Sequence, residues 1–198
     1  MPVKRTIPHK SGMFFITFTC HQWRWLIDKV NGYDIVYSWF DHLKAKGHSI
    51  NGYVIMPNHV HALISFIHPA QSINTIIGNG KRFMAYEIIK RLEKMNESAI
   101  LQQLADSVEK ARKENNKLHE VWKLSFDWKD CRSNEFVWQK LDYTHNNPCT
   151  GKWRLATNPI EYMHSSAKFY LTGEQGFYLV TNFMEMDDVD FNGSGQHS

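Results

Sequence analysis

The sequence predicts an α+β fold in which helices pack on an antiparallel sheet, in a ferredoxin-like pattern. The predicted elements follow one another as strand, helix, hairpin, helix, strand and helix, which is close to the order of that pattern. Of the 198 residues, 42% are hydrophobic and 14% are aromatic, enough for one well-packed domain. The turn signal Pro57-Asn58 separates two adjacent strand-like runs and sets a hairpin near the middle of the order.

Four segments have the composition of β-strands. They are rich in β-branched and aromatic residues with partial alternation, which suits a pleated sheet. The predicted strands are residues 12–20, 49–56, 59–66 and 119–128. The second and third form the arms of the hairpin.

Three segments carry apolar residues at helical spacing, and the predicted helices are residues 32–47, 72–92 and 133–147. The last has the clearest boundaries. Ser133 is available as its N-cap, Glu135 lies near the positive end of the helix dipole, and Pro148 closes it.

The chain divides into one domain and a tail. Residues 1–172 are expected to form the domain, with a charged helical insertion near 95–117. Leu101, Leu104 and Val108 mark a narrow apolar stripe on that insertion. Residues 173–198 are acidic and polar, and we expect them to form a flexible tail.

Composition excludes several classes of protein. No apolar run approaches the roughly 18 to 20 residues that cross a bilayer, and the N-terminal segment lacks the apolar core of a secretory signal, so a cytoplasmic location without membrane contact is expected. Cys20, Cys131 and Cys149 are too widely spaced for a CxxC zinc site. The net charge of +3 permits a polyanionic partner without demonstrating one.

Two histidines stand one residue apart at the start of the second hairpin strand, in MPNHVHALI. In an extended strand His59 and His61 share a face and lie roughly 6.6 Å apart along the backbone, which suits two ligands of one metal ion. Val60 and Ala62 then point into a core. Alternate histidines on a strand are also common as plain surface residues, so this motif needs a third ligand to indicate a metal site.

The last helix offers that ligand in YTHNNP. Tyr143 and Asn147 are four residues apart and face the same side of the helix. Asn147 precedes a proline, so we expect it at a frayed helix end with its side chain free to turn toward a metal. The plainer interpretation is a half-buried helix tyrosine followed by an ordinary helix stop.

Together these residues suit phosphoryl chemistry. Two neutral imidazoles and an amide oxygen leave the full charge of Mg²⁺ or Mn²⁺ to act on a phosphate oxygen. A neighbouring tyrosine can then act as nucleophile, because the cation favours the phenolate. The product would be a phosphotyrosine bond.

The two motifs resemble those of the single-tyrosine HUH transposases of bacteria, in particular the REP-associated tyrosine transposases. That family combines a His-hydrophobic-His strand with a helix that reads Tyr-x-His-x-Asn-Pro. The segments FFITFT and VWKLSFDW are also similar to its first and last strands, and the likeness covers roughly residues 5–170. Two features depart from the family pattern, namely CTGKWRLA after Pro148 and the long insertion, and both bear on the substrate more than on the chemistry.

The resemblance implies an HUH-type fold and a metal-dependent endonuclease and strand transferase that acts on single-stranded DNA with hairpin elements. It implies Tyr143 as the nucleophile that becomes joined to the 5′-phosphate. His59, His61 and Asn147 would bind the Mg²⁺ or Mn²⁺ ion. Some relatives act as homodimers that exchange the tyrosine helix, and the sequence leaves open which arrangement applies here.

Basic and aromatic residues outside these motifs are candidates for DNA binding. Phosphates are expected to attract clustered cations, and an aromatic ring with flanking charges suits base stacking, although such residues also solvate surfaces or fill cores. The candidates are Lys4, Arg5, Lys81, Arg82, Lys90, Arg91, Lys152, Trp153 and Arg154.

Two other functions remain as alternatives. A domesticated protein would bind DNA hairpins without cleaving them, although the complete set of four motif residues disfavours this. A metallohydrolase would use water in place of Tyr143, but the sequence places no carboxylate close to the two histidines to act as a base.

Overall fold

The computed structural model describes residues 6–8, 11–108, 117–151 and 153–186. Within these ranges four strands form one antiparallel sheet in the order β2-β3-β1-β4. The strands are β1 (Gly12–Thr19), β2 (Ser49–Met56), β3 (His59–Phe66) and β4 (Asp127–Asp130). This sheet, with helices packed on it, confirms the predicted ferredoxin-like α+β class.

The described helices are α1 (Leu26–Lys29), α2 (Tyr33–Ala45), α3 (Ile73–Lys94), α4 (Ser98–Asp106), α5 (Asn134–Asn146) and α6 (Ala167–Thr172). Short 3₁₀ turns lie at His21–Trp23, Asn147–Cys149, Pro159–Glu161 and Phe183–Met186. The predicted cap of α5 is confirmed, since the Ser133 hydroxyl accepts a hydrogen bond from the Phe136 amide at 3.3 Å.

The sheet buries both of its faces. Phe14, Ile16 and Phe18 alternate along β1 and join the main core, to which α2 and α3 also contribute buried residues. Phe15 points to the opposite face and packs in a smaller cluster that includes Leu141 of α5. The strand alternation therefore separates a structural face, under α2 and α3, from a second face under α5.

Two glycines allow close packing between elements. A Cβ atom on Gly80 of α3 would overlap the indole of Trp39 on α2. A Cβ atom on Gly52 of β2 would overlap Leu141 Cδ2. The absence of a side chain at Gly52 thus sets how near α5 lies to the sheet.

The predicted strand 119–128 is mostly wrong, because β4 begins only at Asp127. Cys20 makes an isolated bridge with Trp122, and Thr17 pairs with Asp127. The chain therefore advances three residues from Thr17 to Cys20 but five residues from Trp122 to Asp127. The extra length interrupts the ladder. The Lys81 ammonium donates instead to the carbonyls of Lys123 and Ser125, at 2.8 and 3.2 Å.

The insertion and the tail are partly described. Helix α4 lies at the start of the predicted insertion, and Leu104 and Val108 of its apolar stripe are buried. Residues 173–186 differ from the expected flexible tail, since Phe183 is buried in the smaller cluster and the Thr181 amide donates to Ile50 O at 3.0 Å. Residues 109–116 and 187–198 lie outside the described ranges.

Among the described helices, none combines the length and the apolar character that crossing a bilayer requires.

Candidate active site

The two motif histidines lie on the sheet face that α5 covers. His59 and His61 are buried at the start of β3, and their ring centroids are 4.8 Å apart. Val60 and Ala62 belong to the main core on the opposite face, as the alternation predicts. The strand therefore presents two neighbouring imidazoles on one surface, the first requirement for a shared ligand.

A hydrogen bond holds Nδ1 of each ring. The Asn58 Nδ2 group donates to Trp23 O at 2.8 Å, so Asn58 Oδ1 is the atom that faces His59 Nδ1 at 2.7 Å and accepts its proton. Thr17, the cross-strand partner of His61, places Oγ1 2.7 Å from His61 Nδ1. Such partners fix the orientation of a histidine and leave Nε2 to act as the ligand atom.

Asn147 reaches the same site from the end of α5. Its Nδ2 atom lies 3.3 Å from His61 Nε2, and its Oδ1 atom is buried with no hydrogen-bond partner among the described residues. Amide oxygen and nitrogen are distinguished only by their partners, so a half-turn of this amide would point the oxygen toward the imidazole. This buried oxygen and the two imidazoles are three groups that could hold a divalent cation.

The conformation of Asn147 differs from the frayed end predicted from sequence. Its φ and ψ are −54° and −44°, and the chain passes directly from α5 into the 3₁₀ turn Asn147–Cys149. Asn147 is thus buried in a regular turn that continues the helix. No group of three or more His, Cys, Asp or Glu residues suited to a metal occurs in the described ranges, so a metal site here has to include this amide.

The electrostatic setting keeps His61 neutral. Burial lowers the pKa of its imidazole to about 3, and the charges of His59 and Lys140 act in the same direction. A neutral ring near pH 7 keeps a lone pair free for a ligand.

Tyr143 packs beside His61 of this pair. Its ring centroid is 5.3 Å from that of His61 and 6.4 Å from that of Phe15, both in edge-to-face geometry. The side chain is 53% exposed, so its phenol is accessible to a substrate. Because the histidines and α5 belong to one chain, the described chain brings the four motif residues together by itself.

His145 has a structural role at this site that the sequence reasoning did not assign. It lies two residues beyond Tyr143, about 200° around the helix, and therefore faces inward. Its Nε2 atom is 2.9 Å from Ser166 Oγ, which also accepts from the Tyr53 amide of β2 at 2.9 Å. Burial lowers the pKa of His145 to about 4. His145 thus joins α5 to the sheet through Ser166. The position of His145 within the YTHNNP motif is the sequence feature that could have indicated this role.

The basic candidates of α3 are not brought to this site, because α3 packs on the opposite sheet face. Lys81 is 8% exposed and its ammonium is hydrogen-bonded to backbone carbonyls, so we do not retain it as a phosphate contact. Arg91 binds both carboxylate oxygens of Asp34 at 2.8 and 2.6 Å and joins α3 to α2. Arg82 and Lys90 are exposed on that helix.

The candidates after α5 lie closer to the histidines. The Trp153 ring centroid is 5.5 Å from that of His59, and the neighbouring Arg154 is exposed. Lys4, Arg5 and Lys152 lie outside the described ranges.

Three comparisons place this geometry among known proteins. The family model of the IS200-like transposases matches residues 16–105, a range that includes β3 and its histidines and ends before α5. No curated protein matches the sequence significantly. One similar solved structure is a REP-associated tyrosine transposase bound to a REP hairpin, at 14% identity and a TM-score of 0.61, covering 92% of this chain and 93% of that one.

A second similar structure is a proposed transposase from Deinococcus radiodurans, with 13% identity, a TM-score of 0.42 and coverage of 74% of this chain and 97% of that one. The first structure shows that the fold is shared over nearly the whole chain. The match of residues 16–105 to the IS200-like model and the shared fold agree with the resemblance drawn from the two sequence motifs.

Proposed function

We propose that this protein is a metal-assisted endonuclease and strand transferase that cleaves single-stranded or hairpin DNA through a covalent 5′-phosphotyrosine intermediate. The main support is that α5 sets the Tyr143 ring and the Asn147 amide against His61 of the same chain, beside His59. The match of residues 16–105 to the IS200-like family model supports the same chemistry.

The residues present suit the cation that this chemistry requires. His59, His61 and Asn147 would hold Mg²⁺ or Mn²⁺ through two imidazole nitrogens and the unpartnered amide oxygen. When bound, the ion would withdraw charge from a phosphate oxygen and favour the phenolate. Thr17 and Asn58 keep the two imidazoles turned toward that position.

Tyr143 supplies the nucleophile. Its phenolic oxygen forms a bond to phosphorus while the bond from phosphorus to the 3′-oxygen breaks, and the phenolic proton is balanced by the proton gained by the departing 3′-hydroxyl. The 5′-phosphate stays on the protein. Attack by another 3′-hydroxyl reverses these steps and frees Tyr143, so strand transfer needs no nucleotide cofactor.

The proposed partner is DNA that carries a hairpin beside unpaired nucleotides. The REP-associated relative of the same fold is described as bound to a REP hairpin. A second copy of the chain is not needed to complete the set of motif residues, since Tyr143 contacts the histidine of its own chain. A cytoplasmic location remains part of the proposal.

Replacing Tyr143 by Phe tests the assignment. Wild-type protein, incubated with Mg²⁺ or Mn²⁺ and hairpin DNA with single-stranded flanks, should give a protein–DNA adduct that survives denaturing electrophoresis. Tyr143→Phe should bind the same DNA and form no adduct, because the ring remains and the attacking oxygen is lost.

His59→Ala is the companion variant, and it should also lose the adduct. Cleavage that persists in Tyr143→Phe and disappears in His59→Ala would indicate attack by water and contradict the tyrosine mechanism. Binding without cleavage by the wild-type protein, across many hairpins, would support the domesticated alternative.

A further inference from the structure

We propose that Trp23 and Trp25, together with Trp153, form a stacking platform for unpaired bases next to the phosphate that is cleaved. This inference rests on the proposed function and adds to it the residues that hold the single-stranded part of the substrate. Neither Trp23 nor Trp25 belongs to the motifs that define the candidate active site.

The three rings form a connected aromatic surface beside a candidate metal ligand. The Trp153 centroid lies 5.5 Å from that of His59 and 5.7 Å from that of Trp25. The Trp23 centroid lies 6.1 Å from that of His59. A base resting on this surface would therefore lie close to a phosphate held at the histidines.

Exposure distinguishes these rings from core residues. Trp23 and Trp25 are each 50% exposed, although an indole gains much from burial. Grouped aromatic surface left in contact with water is typical of a binding site. Both rings therefore keep area available for a flat ligand.

Charge around the platform suits a nucleic acid strand. The Lys123 ammonium lies 4.0 Å from the centroid of the Trp23 ring, and the exposed Arg154 follows Trp153. Aromatic rings flanked by cations bind single-stranded DNA by base stacking combined with phosphate contacts. These charges, and continuity with the candidate active site, favour unpaired nucleotides as the occupant over an apolar peptide.

The backbone fixes Trp23 relative to the metal-site residues. Gln22 and Trp23 have φ values of 53° and 59°, a region that residues other than glycine seldom adopt. The fully buried Asn58 donates to Trp23 O at 2.8 Å and accepts from His59 Nδ1 at 2.7 Å. One side chain thus orients both the tryptophan turn and the histidine ring.

Binding measurements with abasic DNA test the platform. The probe is a labelled DNA hairpin with single-stranded flanks, and matched versions carry one abasic site at each flanking position in turn. In the Tyr143→Phe background, where binding is measured without cleavage, at least one abasic site should weaken binding roughly 5- to 100-fold, the range expected for one lost stack.

The substitutions Trp23→Ala and Trp25→Ala, added together to the Tyr143→Phe protein, should weaken binding of the intact probe by a similar factor. In this variant the abasic probe should bind as tightly as the intact probe. Phe83→Ala is the matched control, because this ring is 60% exposed on α3, which packs on the other sheet face. It should bind like the parent protein.

Trp23→Phe and Trp25→Phe keep an aromatic ring and guard against misfolding of the alanine variants. DNA should quench indole fluorescence of the parent, and each substitution should reduce the quenched amplitude. Unchanged amplitude, or an abasic effect that survives the double alanine variant, would overturn the platform while leaving adduct formation at Tyr143 intact. A wild-type protein that binds no DNA and forms no adduct would instead overturn the proposed function, and the platform with it.

Discussion

At the scale of single residues, the candidate site depends on how the two imidazoles are turned. Thr17 and Asn58 each hydrogen-bond an Nδ1 atom, and these bonds fix the orientation of the two rings. Neither partner is recognisable as functional in the sequence. Thr17 becomes meaningful only through its cross-strand pairing with His61, which is a long-range contact.

Thr17→Val should impair cleavage without unfolding the protein. Valine has nearly the shape of threonine but lacks the hydroxyl that holds His61, and loss of such a partner typically costs about 10- to 100-fold in activity or metal affinity. The measurement is the initial rate of adduct formation over a range of Mn²⁺ concentrations. Thr17→Ser retains the hydroxyl and should restore most of the rate, whereas equal rates for Val and wild type would refute the orienting role.

The motif residues themselves could be predicted from sequence, because their spacing is local. His59 and His61 share a strand face, and Tyr143 and Asn147 share a helix face. The structural role of His145 was not predicted, because nothing in the sequence marks Ser166 as its hydrogen-bond partner. The burial of Lys81 was missed because the carbonyls that it binds lie in a segment predicted to be a strand.

At the scale of elements, α5 decides whether the site exists. It is held on the sheet by Leu141, which packs in the smaller cluster over the space at Gly52, and by the hydrogen bond from His145 to Ser166. The helix boundaries follow from the Ser133 cap and from Pro148, both visible in the sequence. The distance between α5 and β2 depends on Gly52. It could not be predicted from the local sequence pattern.

Gly52→Ala should lower both stability and cleavage. The added methyl group would overlap Leu141 Cδ2, and overpacking of this kind typically costs about 1–3 kcal/mol. Thermal unfolding and adduct yield measure the two effects.

Gly78→Ala is the control, since a Cβ atom there meets nothing within 4 Å and alanine favours a helix by about 0.5–1 kcal/mol. An unchanged melting temperature and adduct yield in Gly52→Ala would show that α5 is not seated as described.

At the scale of the whole molecule, the two faces of the sheet differ in what they bury. One face buries the main core under α2 and α3, and the other carries the histidines under α5. The order of elements was predictable because each has its own period and turn signals. The packing of residues 173–186 was not predictable, because Phe183 packs in a cluster most of whose residues are distant in sequence.

Histidine burial predicts that stability falls in mild acid. Burial lowers the pKa of His164 from 6.5 to about 4, and its Nδ1 atom lies 2.9 Å from the Tyr37 hydroxyl. Between these two pH values the unfolded chain binds the proton and the folded chain does not, so the free energy of unfolding decreases as pH falls through this window.

His164→Gln should flatten that decrease while lowering stability at pH 7, through loss of the stacking on Tyr33 at a centroid distance of 3.6 Å. Urea unfolding at a series of pH values measures both quantities. The same slope in variant and wild type would exclude a contribution from His164.

The most direct measurement for the whole account is mass spectrometry of the trypsin-digested protein–DNA adduct. Cleavage after Lys140 and Lys152 releases LDYTHNNPCTGK, which contains a single tyrosine, Tyr143. We expect a nucleotide joined through its 5′-phosphate to this peptide. DNA found on any other peptide, or products that carry free 5′-phosphates and no protein, would contradict the central claim.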